Sequence, residues 1–209
     1  MKKRIIFFLF LIGLTMGEIY GQSNNWKASL VYNKDIYKKS DINLSQYTGY
    51  QHTKAKFNYT LGIQLEKGFG RFGIATGLQY ANKDFVGTYY CHVCDFFAPV
   101  LPETIKIRYL EVPVLAKYYV QLTGKFSVVP QAGLTNHFSQ EKPEASYEKF
   151  ETKSFQSALL GTDLLFQINE QMSLGLNLNY QSQLGSSIEK SDFKYKKTSV
   201  GLNFTTIIR

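Results

Sequence analysis

The amino-acid sequence predicts an all-β protein, an eight-stranded antiparallel transmembrane up-and-down β-barrel with short periplasmic turns and long extracellular loops. Three observations predict this fold: an N-terminal export signal, an aromatic-rich composition with a mean hydropathy near zero, and two-residue alternation of apolar and polar residues in several segments. Strands with one apolar and one polar face can close into a cylinder whose outer surface meets lipid.

The N-terminal segment has the organisation of a secretory signal peptide. Basic residues at positions 2–4 precede the apolar run Ile5–Leu14, and the small residue Gly21 ends the segment. This run is too short for a helix that crosses a membrane, which needs about 20 residues. No cysteine follows it, which argues against a lipoprotein. We therefore predict a signal peptide at 1–21 and an outer-membrane barrel domain at 22–209.

The composition narrows the class of protein. Aromatic residues make up 15% of the chain, with 15 Tyr and 16 Phe, yet the mean hydropathy is only −0.20. A membrane barrel reconciles these values because lipid-facing and lumen-facing residues alternate. The formal net charge of +8 falls to +6 without the predicted signal peptide. This charge could favour polyanions, but its lysines cluster in predicted loops, so we expect solvated lysines and no nucleic-acid partner.

Four segments alternate apolar and polar residues without a long break, and they lie at 57–66, 72–80, 172–181 and 199–208. The apolar face of the third consists of Met172, Leu174, Leu176, Leu178 and Tyr180. Its other face holds only Ser, Gly, Asn and Gln, which suit a wet lumen better than a dry core. This favours a membrane barrel over a soluble, lipocalin-like barrel, whose apolar residues would line the cavity.

Four further segments are predicted strands: Trp26–Asn33, Ile107–Gln121, Phe126–Thr135 and Phe155–Gln167. The resulting even number allows a closed antiparallel barrel, which leaves no unpaired strand edge in lipid. The connections alternate in length, as expected of outer-membrane barrels. The tight ones are 67–71, 122–125 and 168–171. Both termini are therefore predicted to lie on the periplasmic side.

One predicted strand carries a recognisable motif, "RYLEVPVLAKY" at 108–118. The residues that carry the likeness are Arg108, Tyr109, Leu110, Glu111, Val112, Pro113, Leu115, Lys117 and Tyr118. The motif resembles the "RYLEIPLLLKY" strand of the PorT-like outer-membrane β-barrel family, known from bacteria with a type IX secretion system. The resemblance implies a barrel fold and an outer-membrane location. It also suggests an accessory role in protein secretion, which one branch of the family has.

The same strand places charged residues at inward positions. Glu111 and Lys117 share the parity that faces the lumen, and Asp163 occupies a comparable position on the sixth predicted strand. We predict a lumen charge cluster of these three residues that pairs across the barrel, since buried charges need partners. A proton relay or a catalytic carboxylate pair is the alternative. Pro113 and Pro130 are interpreted as β-bulges, because proline cannot donate to a strand ladder.

The predicted strand number also bears on transport. The interior of an eight-stranded barrel is just wide enough for side chains to fill, so no pore is expected. Small inward residues could still leave a cavity, although their expected role is to permit tight curvature. These inward glycines are Gly62, Gly73, Gly77, Gly133, Gly161, Gly175 and Gly201.

The two cysteines lie in "YYCHVCDFF", within the predicted external segment 83–104. Cys91 and Cys94 are predicted to form a local disulfide outside the reducing compartment. Free thiols and half of a zinc site with His92 are the alternatives, but the other histidines, His52 and His137, lie on different loops. No metal or other cofactor is expected.

An enzyme hypothesis rests on "NHFSQE", which contains His137, Ser139 and Glu141. The H-x-S spacing is similar to that of the lipid A deacylase barrels, and a histidine beside a serine could activate its hydroxyl. Both side chains have inward parity, however, whereas attack on a lipid requires them to face the bilayer. We therefore expect no enzyme, with a lipid A-modifying hydrolase as an alternative.

The expected function is a structural or binding role through the extracellular loops, which are rich in Tyr, Phe and Lys. Outer-membrane lipid is the expected partner, together with envelope or secretion proteins.

Overall fold

The computed structural model describes residues 25–38, 41–95, 100–140, 143, 145–148, 150–188 and 194–208. The predicted signal peptide at 1–21 lies outside these residues. The described part of the chain is built from strands, and it contains no helix with the length and hydrophobicity to cross a membrane.

The strands are β1 (Trp26–Tyr37), β2 (Ile42–Asn43), β3 (Thr48–Ala55), β4 (Asn58–Phe69), β5 (Phe72–Asn82), β6 (Phe85–Cys91), β7 (Glu103–Ile105), β8 (Arg108–Tyr118), β9 (Val120–Gln121), β10 (Phe126–Ser139), β11 (Phe155–Gln167), β12 (Met172–Leu184) and β13 (Lys196–Ile208). The eight predicted strands correspond to β1, β4, β5, β8 with its short continuation β9, β10, β11, β12 and β13. Several extend beyond their predicted ends, and β2, β3, β6 and β7 lie in segments predicted to be loops.

Eight antiparallel strands, which we call the staves, close into a barrel: β1, β4, β5, β8 with its continuation β9, β10, β11, β12 and β13. Each stave pairs with the next along the chain, and β1 pairs with both β4 and β13, so the first and last staves meet. The register of the closing pair runs from Trp26 opposite Ile208 to Tyr37 opposite Lys197. Closure satisfies every strand edge internally, which a bilayer requires. The predicted fold class is thus confirmed.

The outer surface of the barrel is apolar. Along β12, Leu174, Leu176 and Leu178 are exposed, whereas Gly175 and Asn177 between them are buried. Aromatic rings mark both ends of this apolar band. One row contains Phe72, Tyr118, Phe126 and Phe166, and the other contains Tyr32, Tyr59 and Tyr80. Such girdles sit at the two interfaces of a membrane barrel.

The inward glycines let neighbouring strands approach closely. A Cβ atom on Gly62 would meet the carbonyl oxygen of Leu78 on β5, and one on Gly133 would meet that of Val114 on β8. The tight link between β4 and β5 contains Gly70 with φ of +63°, a conformation that favours glycine. The two inward glycines therefore allow the close approach of neighbouring strands, and Gly70 allows the tight turn.

The predicted bulges at Pro113 and Pro130 are wrong. The pairs of β5 with β8 on either side of Pro113 share one register. Likewise, β10 keeps one register with β11 through Pro130, and one register with β8 and β9 on its other side. The missing N–H of each proline coincides with a short gap in one ladder, so no extra residue is needed.

The long connections at the extracellular end fold into a second unit, which we call the cap: the described residues of 38–57, 83–107, 140–154 and 185–195. Its sheet is antiparallel with the order β2-β3-β6-β7. A β-bulge between His52 and Lys54 interrupts the pairing of β3 with β6. The opposite end of the barrel has only tight turns, as expected on the periplasmic side.

Candidate functional site

The upper part of the lumen, near the cap, holds a buried carboxylate surrounded by cations. Glu111 on β8 is completely buried, and its oxygens lie 3.5 Å from Lys83 Nζ and 3.6 Å from Lys197 Nζ. His137 Nδ1 on β10 lies 2.9 Å from the same carboxylate. Side chains from β8, β10, β13 and the start of the second long connection thus meet at one point.

Asp35 on β1 extends this cluster across the barrel. Its carboxylate lies 3.3 Å from Lys197 Nζ and accepts hydrogen bonds from Ser199 Oγ at 2.6 Å and Thr60 Oγ1 at 2.5 Å. We call Asp35, Lys83, Glu111, His137 and Lys197 the upper cluster. Because its acids each contact cations or hydroxyl donors, the cost of burying their charge is offset locally.

A separate lower cluster lies nearer the periplasm and consists of Lys27, Glu66, Lys117 and Asp163. Lys117 Nζ bridges Glu66 at 3.4 Å and Asp163 at 3.7 Å, and Lys27 Nζ lies 3.3 Å from Glu66. Neutral side chains complete it: Tyr119 donates to Glu66 at 2.5 Å, Gln131 donates to Asp163 at 3.1 Å, and Asn177 also donates to Asp163.

The two clusters contain equal numbers of carboxylates and lysines: Asp35, Glu66, Glu111 and Asp163 against Lys27, Lys83, Lys117 and Lys197. Their side chains fill the lumen. The cavity beside the upper cluster is only about 10 Å³, room for a single water at most. A larger cavity of about 410 Å³ lies at the periplasmic mouth, next to the tight turns. Above this cavity, the described side chains of the two clusters form a charge-balanced plug.

The structure divides the three residues predicted to form one charge cluster. Lys117 and Asp163 are paired, but Glu111 belongs to the upper cluster. Six residues of extended strand separate Glu111 from Lys117 by about 20 Å. Equal parity puts two side chains on one face without bringing them together.

Sequence reasoning missed most members of these clusters. Glu66 lies on the polar, lumen-facing side of the predicted strand 57–66. A charged residue at such a position indicates a partner inside the barrel. Asp35 and Lys197 lie just beyond the ends of their predicted strands, and Lys83 lies in a predicted loop. Longer predicted strands would have revealed the inward parity of the first two.

His137 bonds to a different serine from the one predicted. Its Nε2 lies 2.7 Å from Ser157 Oγ on β11, whereas Ser139 Oγ bonds to Thr152 Oγ1. A histidine between a hydroxyl and a carboxylate resembles the arrangement that activates a nucleophile. However, His137 and Ser157 are each only 1% exposed, and the adjoining cavity cannot hold a substrate. The third residue of that hypothesis, Glu141, lies outside the described residues.

Lys83 connects the cap to the lumen. Its backbone N–H donates to Ile107 O at 2.7 Å in the cap, while its ammonium reaches Glu111 below. Three rings surround that ammonium, with centroids 4.4 Å away for Tyr109, 4.6 Å for Phe155 and 4.9 Å for Tyr195. Cation–π attraction and the ion pair hold the lysine across the barrel mouth. This aromatic layer separates the polar lumen from the cap.

The cap has a hydrophobic core of its own, to which all four long connections or their flanking strands contribute. The core consists of Ile42, Tyr50, Phe85, Ile105, Ile107, Tyr109, Phe150, Phe155, Ile188 and Tyr195. Tyr50 is fully buried, and its hydroxyl bonds to both the backbone N–H and the carbonyl of Glu148. This burial raises the pKa of Tyr50 to about 12.

The cysteine pair lies at the outer edge of the cap sheet. Cys91 and Cys94 are joined by a disulfide, and Cys91 pairs with Thr48 on β3. The backbone N–H of the intervening His92 donates to Tyr47 O at 2.9 Å. Within the described residues, no group of three or more His, Cys, Asp or Glu side chains is arranged to hold a metal ion.

The fold defines a class of protein, the small eight-stranded outer-membrane β-barrels. The chain is similar to OprG from Pseudomonas aeruginosa (TM-score 0.60, 13% identity, 88% of this chain and 97% of that one). It is also similar to Neisserial surface protein A (TM-score 0.57, 8% identity, 89% of this chain and 98% of that one). A third similar structure is the outer membrane protein AlkL in lipid bilayers (TM-score 0.57, 12% identity, 93% of this chain and 97% of that one). At these identities the likeness concerns the fold alone.

No family model matches the chain, and no curated protein matches it. The apolar outer band, the closed barrel and the tight turns at one end place the chain in the outer membrane, as its sequence predicts. Outer-membrane lipid is the partner that this exterior fits.

Proposed function

We propose that the protein is a cell-surface binding module in which the barrel anchors the cap and the cap provides the recognition surface. The observation that carries this proposal is the folding of the long connections into one unit with its own sheet and core. Loops that only closed the barrel would not need to contribute eight buried apolar residues to such a core. A folded cap pre-organises its surface, which lowers the entropic cost of binding a partner.

The filled lumen argues against a role as a conduit. An ion that crossed the barrel would have to displace the paired side chains of both clusters and the aromatic layer around Lys83. Leaving one partner of a buried ion pair without the other costs about 3–5 kcal/mol, so such displacement is unfavourable. The buried placement of His137 and Ser157 likewise supports a bonding role for them instead of lipid hydrolysis.

The test compares the full protein with a trimmed variant, both in lipid nanodiscs. In the variant, short Gly-Ser turns replace 41–55, 85–105 and 143–150, and the barrel staves are retained. Binding is measured against arrays of polysaccharides and of purified extracellular proteins. We expect at least one ligand that binds the full protein and not the trimmed one. Absence of any ligand above empty nanodiscs, equal binding by both proteins, or a steady conductance in planar bilayers would refute the proposal.

A second candidate function is an accessory role in a type IX-like secretion complex. It is favoured by the motif at 108–118, which resembles the PorT-like family and occupies the whole of β8. Deletion of the gene, followed by measurement of cargo in the medium, tests this role. Blocked export that the full gene restores would support it, and normal export would rule it out.

A further inference from the structure

The cap sheet has two chemically different faces. Ile42, Tyr50, Phe85 and Ile105 lie on the inner face and are buried in the cap core. The outer face presents amides and hydroxyls to solvent, together with one aromatic ring. One aliphatic side chain and one lysine also lie on it, so that its residues are Asn43, Gly49, Gln51, Lys54, Val86, Thr88, Tyr90 and Thr104.

Tyr90 is held flat against this outer face. It pairs with Gly49 on β3, and an added Cβ at Gly49 would lie 2.9 Å from Cζ of the Tyr90 ring, so the ring covers the glycine. Its hydroxyl donates to Asn43 Oδ1 at 2.7 Å on the next strand. The Gly49 backbone beneath the ring and the hydrogen bond of the Tyr90 hydroxyl therefore fix the ring before any ligand binds.

Two more aromatic residues follow Tyr90 towards the edge of the sheet. The ring of His92 has its centroid 5.3 Å from that of Tyr90. Tyr47, whose carbonyl accepts the His92 N–H, is 49% exposed. We call Tyr47, Tyr90 and His92 the aromatic row.

The backbone beneath the row is cross-linked on both sides. Ser45 Oγ accepts the N–H groups of Tyr47 and Thr48 at 3.1 and 3.0 Å, which closes the turn that carries Tyr47. The disulfide between Cys91 and Cys94 closes the turn that carries His92. These constraints favour a binding surface that loses little conformational freedom when a ligand binds.

We propose that the outer face of the cap sheet binds a neutral carbohydrate, which stacks on the aromatic row and hydrogen-bonds to the amides of Asn43 and Gln51. This proposal rests on the binding role proposed above and names its ligand class. The negative face of an aromatic ring attracts the weakly positive C–H edge of a sugar ring, and amides both donate to and accept from hydroxyl groups.

The charges around this face indicate a neutral ligand. Among the described residues, the face itself carries one cation, Lys54, at the end remote from the aromatic row. Asp41 lies beside the same strand, where its carboxylate accepts the His52 N–H. Because the two charges are opposite and the amides and hydroxyls between them are neutral, the face offers no electrostatic advantage to an acidic polymer.

The test measures the binding of neutral glucans and mannans, and of uronic-acid and sulfated oligosaccharides, to the protein in lipid nanodiscs. We expect the neutral sugars to bind. Tyr90→Ala should weaken binding about tenfold or more, Tyr90→Phe should remain within about threefold, and Gln51→Ala should fall between them. Tyr147→Ala is the matched control, because this exposed tyrosine stacks on Tyr89 and lies outside the aromatic row.

Amide hydrogen exchange in the cap shows whether each variant is folded. If Tyr90→Ala does not fold, Gln51→Ala still tests the inference. Failure of neutral sugars to bind, preference for acidic ones, or wild-type affinity in folded Tyr90→Ala and Gln51→Ala would overturn the inference. If the cap binds a protein but no sugar, this inference falls while the proposed binding role stands.

Discussion

The barrel and the cap bury opposite kinds of side chain. In the barrel, Leu176 is 40% exposed on the outer wall while its neighbour Asn177 is buried; in the cap, Tyr50 is buried while its neighbour Gln51 is exposed. Both use antiparallel sheets with period-two alternation. The difference follows from the surrounding solvent, since lipid covers the barrel and water covers the cap. One chain therefore contains two cores, held together by buried ion pairs in the barrel and by apolar packing in the cap.

The largest expected effect comes from breaking the polar core. Glu111→Ala removes the carboxylate shared by Lys83, Lys197 and His137, and leaves two buried ammonium groups without it. We expect a loss of about 3–5 kcal/mol in the free energy of unfolding. Urea unfolding in liposomes, followed by the heat-modifiable gel shift, measures it. Glu170→Ala in an exposed turn is the control, and a loss below about 1 kcal/mol for Glu111→Ala would contradict the prediction.

Breaking the apolar core should act on the cap alone. Tyr50→Ala empties the centre of the cap and should cost about 3 kcal/mol of local stability. Limited proteolysis should cut the cap faster while the gel shift of the barrel stays unchanged. Tyr147→Ala, at a half-exposed tyrosine, should leave both measurements as in the wild type. Loss of the barrel gel shift in Tyr50→Ala would show that the two cores are not separable.

The disulfide should have a smaller effect, again confined to the cap. The chain-entropy model gives about 2 kcal/mol for the short loop closed by Cys91 and Cys94. The double variant Cys91→Ser/Cys94→Ser should show faster amide exchange in β3 and β6 and unchanged barrel stability. Reduction of the wild-type protein with dithiothreitol should reproduce the effect. Identical exchange in the oxidised and reduced proteins would count against it.

A single hydrogen bond in the lumen should contribute less. Ser157→Ala removes the partner of His137 Nε2 and should cost about 1 kcal/mol by urea unfolding. Mass spectra of lipid A from cells with the wild-type or the variant gene should be identical, because the site has no room for a substrate. An acyl chain missing only in the presence of the wild-type gene would revive the hydrolase hypothesis.

The buried Tyr50 phenol should make the stability of the cap depend on pH at alkaline pH. Burial raises the pKa of Tyr50 from 10.0 to about 12, so the protonated phenol stabilises the folded cap. That contribution is fully present below pH 10 and is lost as the pH rises through 12. Protease sensitivity of the cap should therefore increase across this interval, and Tyr50→Phe should flatten the increase. An equal increase in Tyr50→Phe would assign it to other groups.

The sequence alone determined the barrel. Alternation is a local property that each strand displays in its own residues, so the number of strands, the lipid-facing side and the tight turns could all be predicted. The strands of the cap could not, because they are short and one carries a bulge, which leaves no long alternating pattern.

Only the tertiary structure decided which residues meet. Asp35 and Lys197 are 162 positions apart in the chain and become neighbours because the first and last staves pair. Parity predicted that Glu111, Lys117 and Asp163 face inward, but their heights along the barrel depend on strand register, which links distant segments. The partner of His137 was set in the same way, since Ser157 lies on the adjacent stave. The alternation within each strand determines which side chains face the lumen, whereas the register between strands determines which of those side chains are in contact.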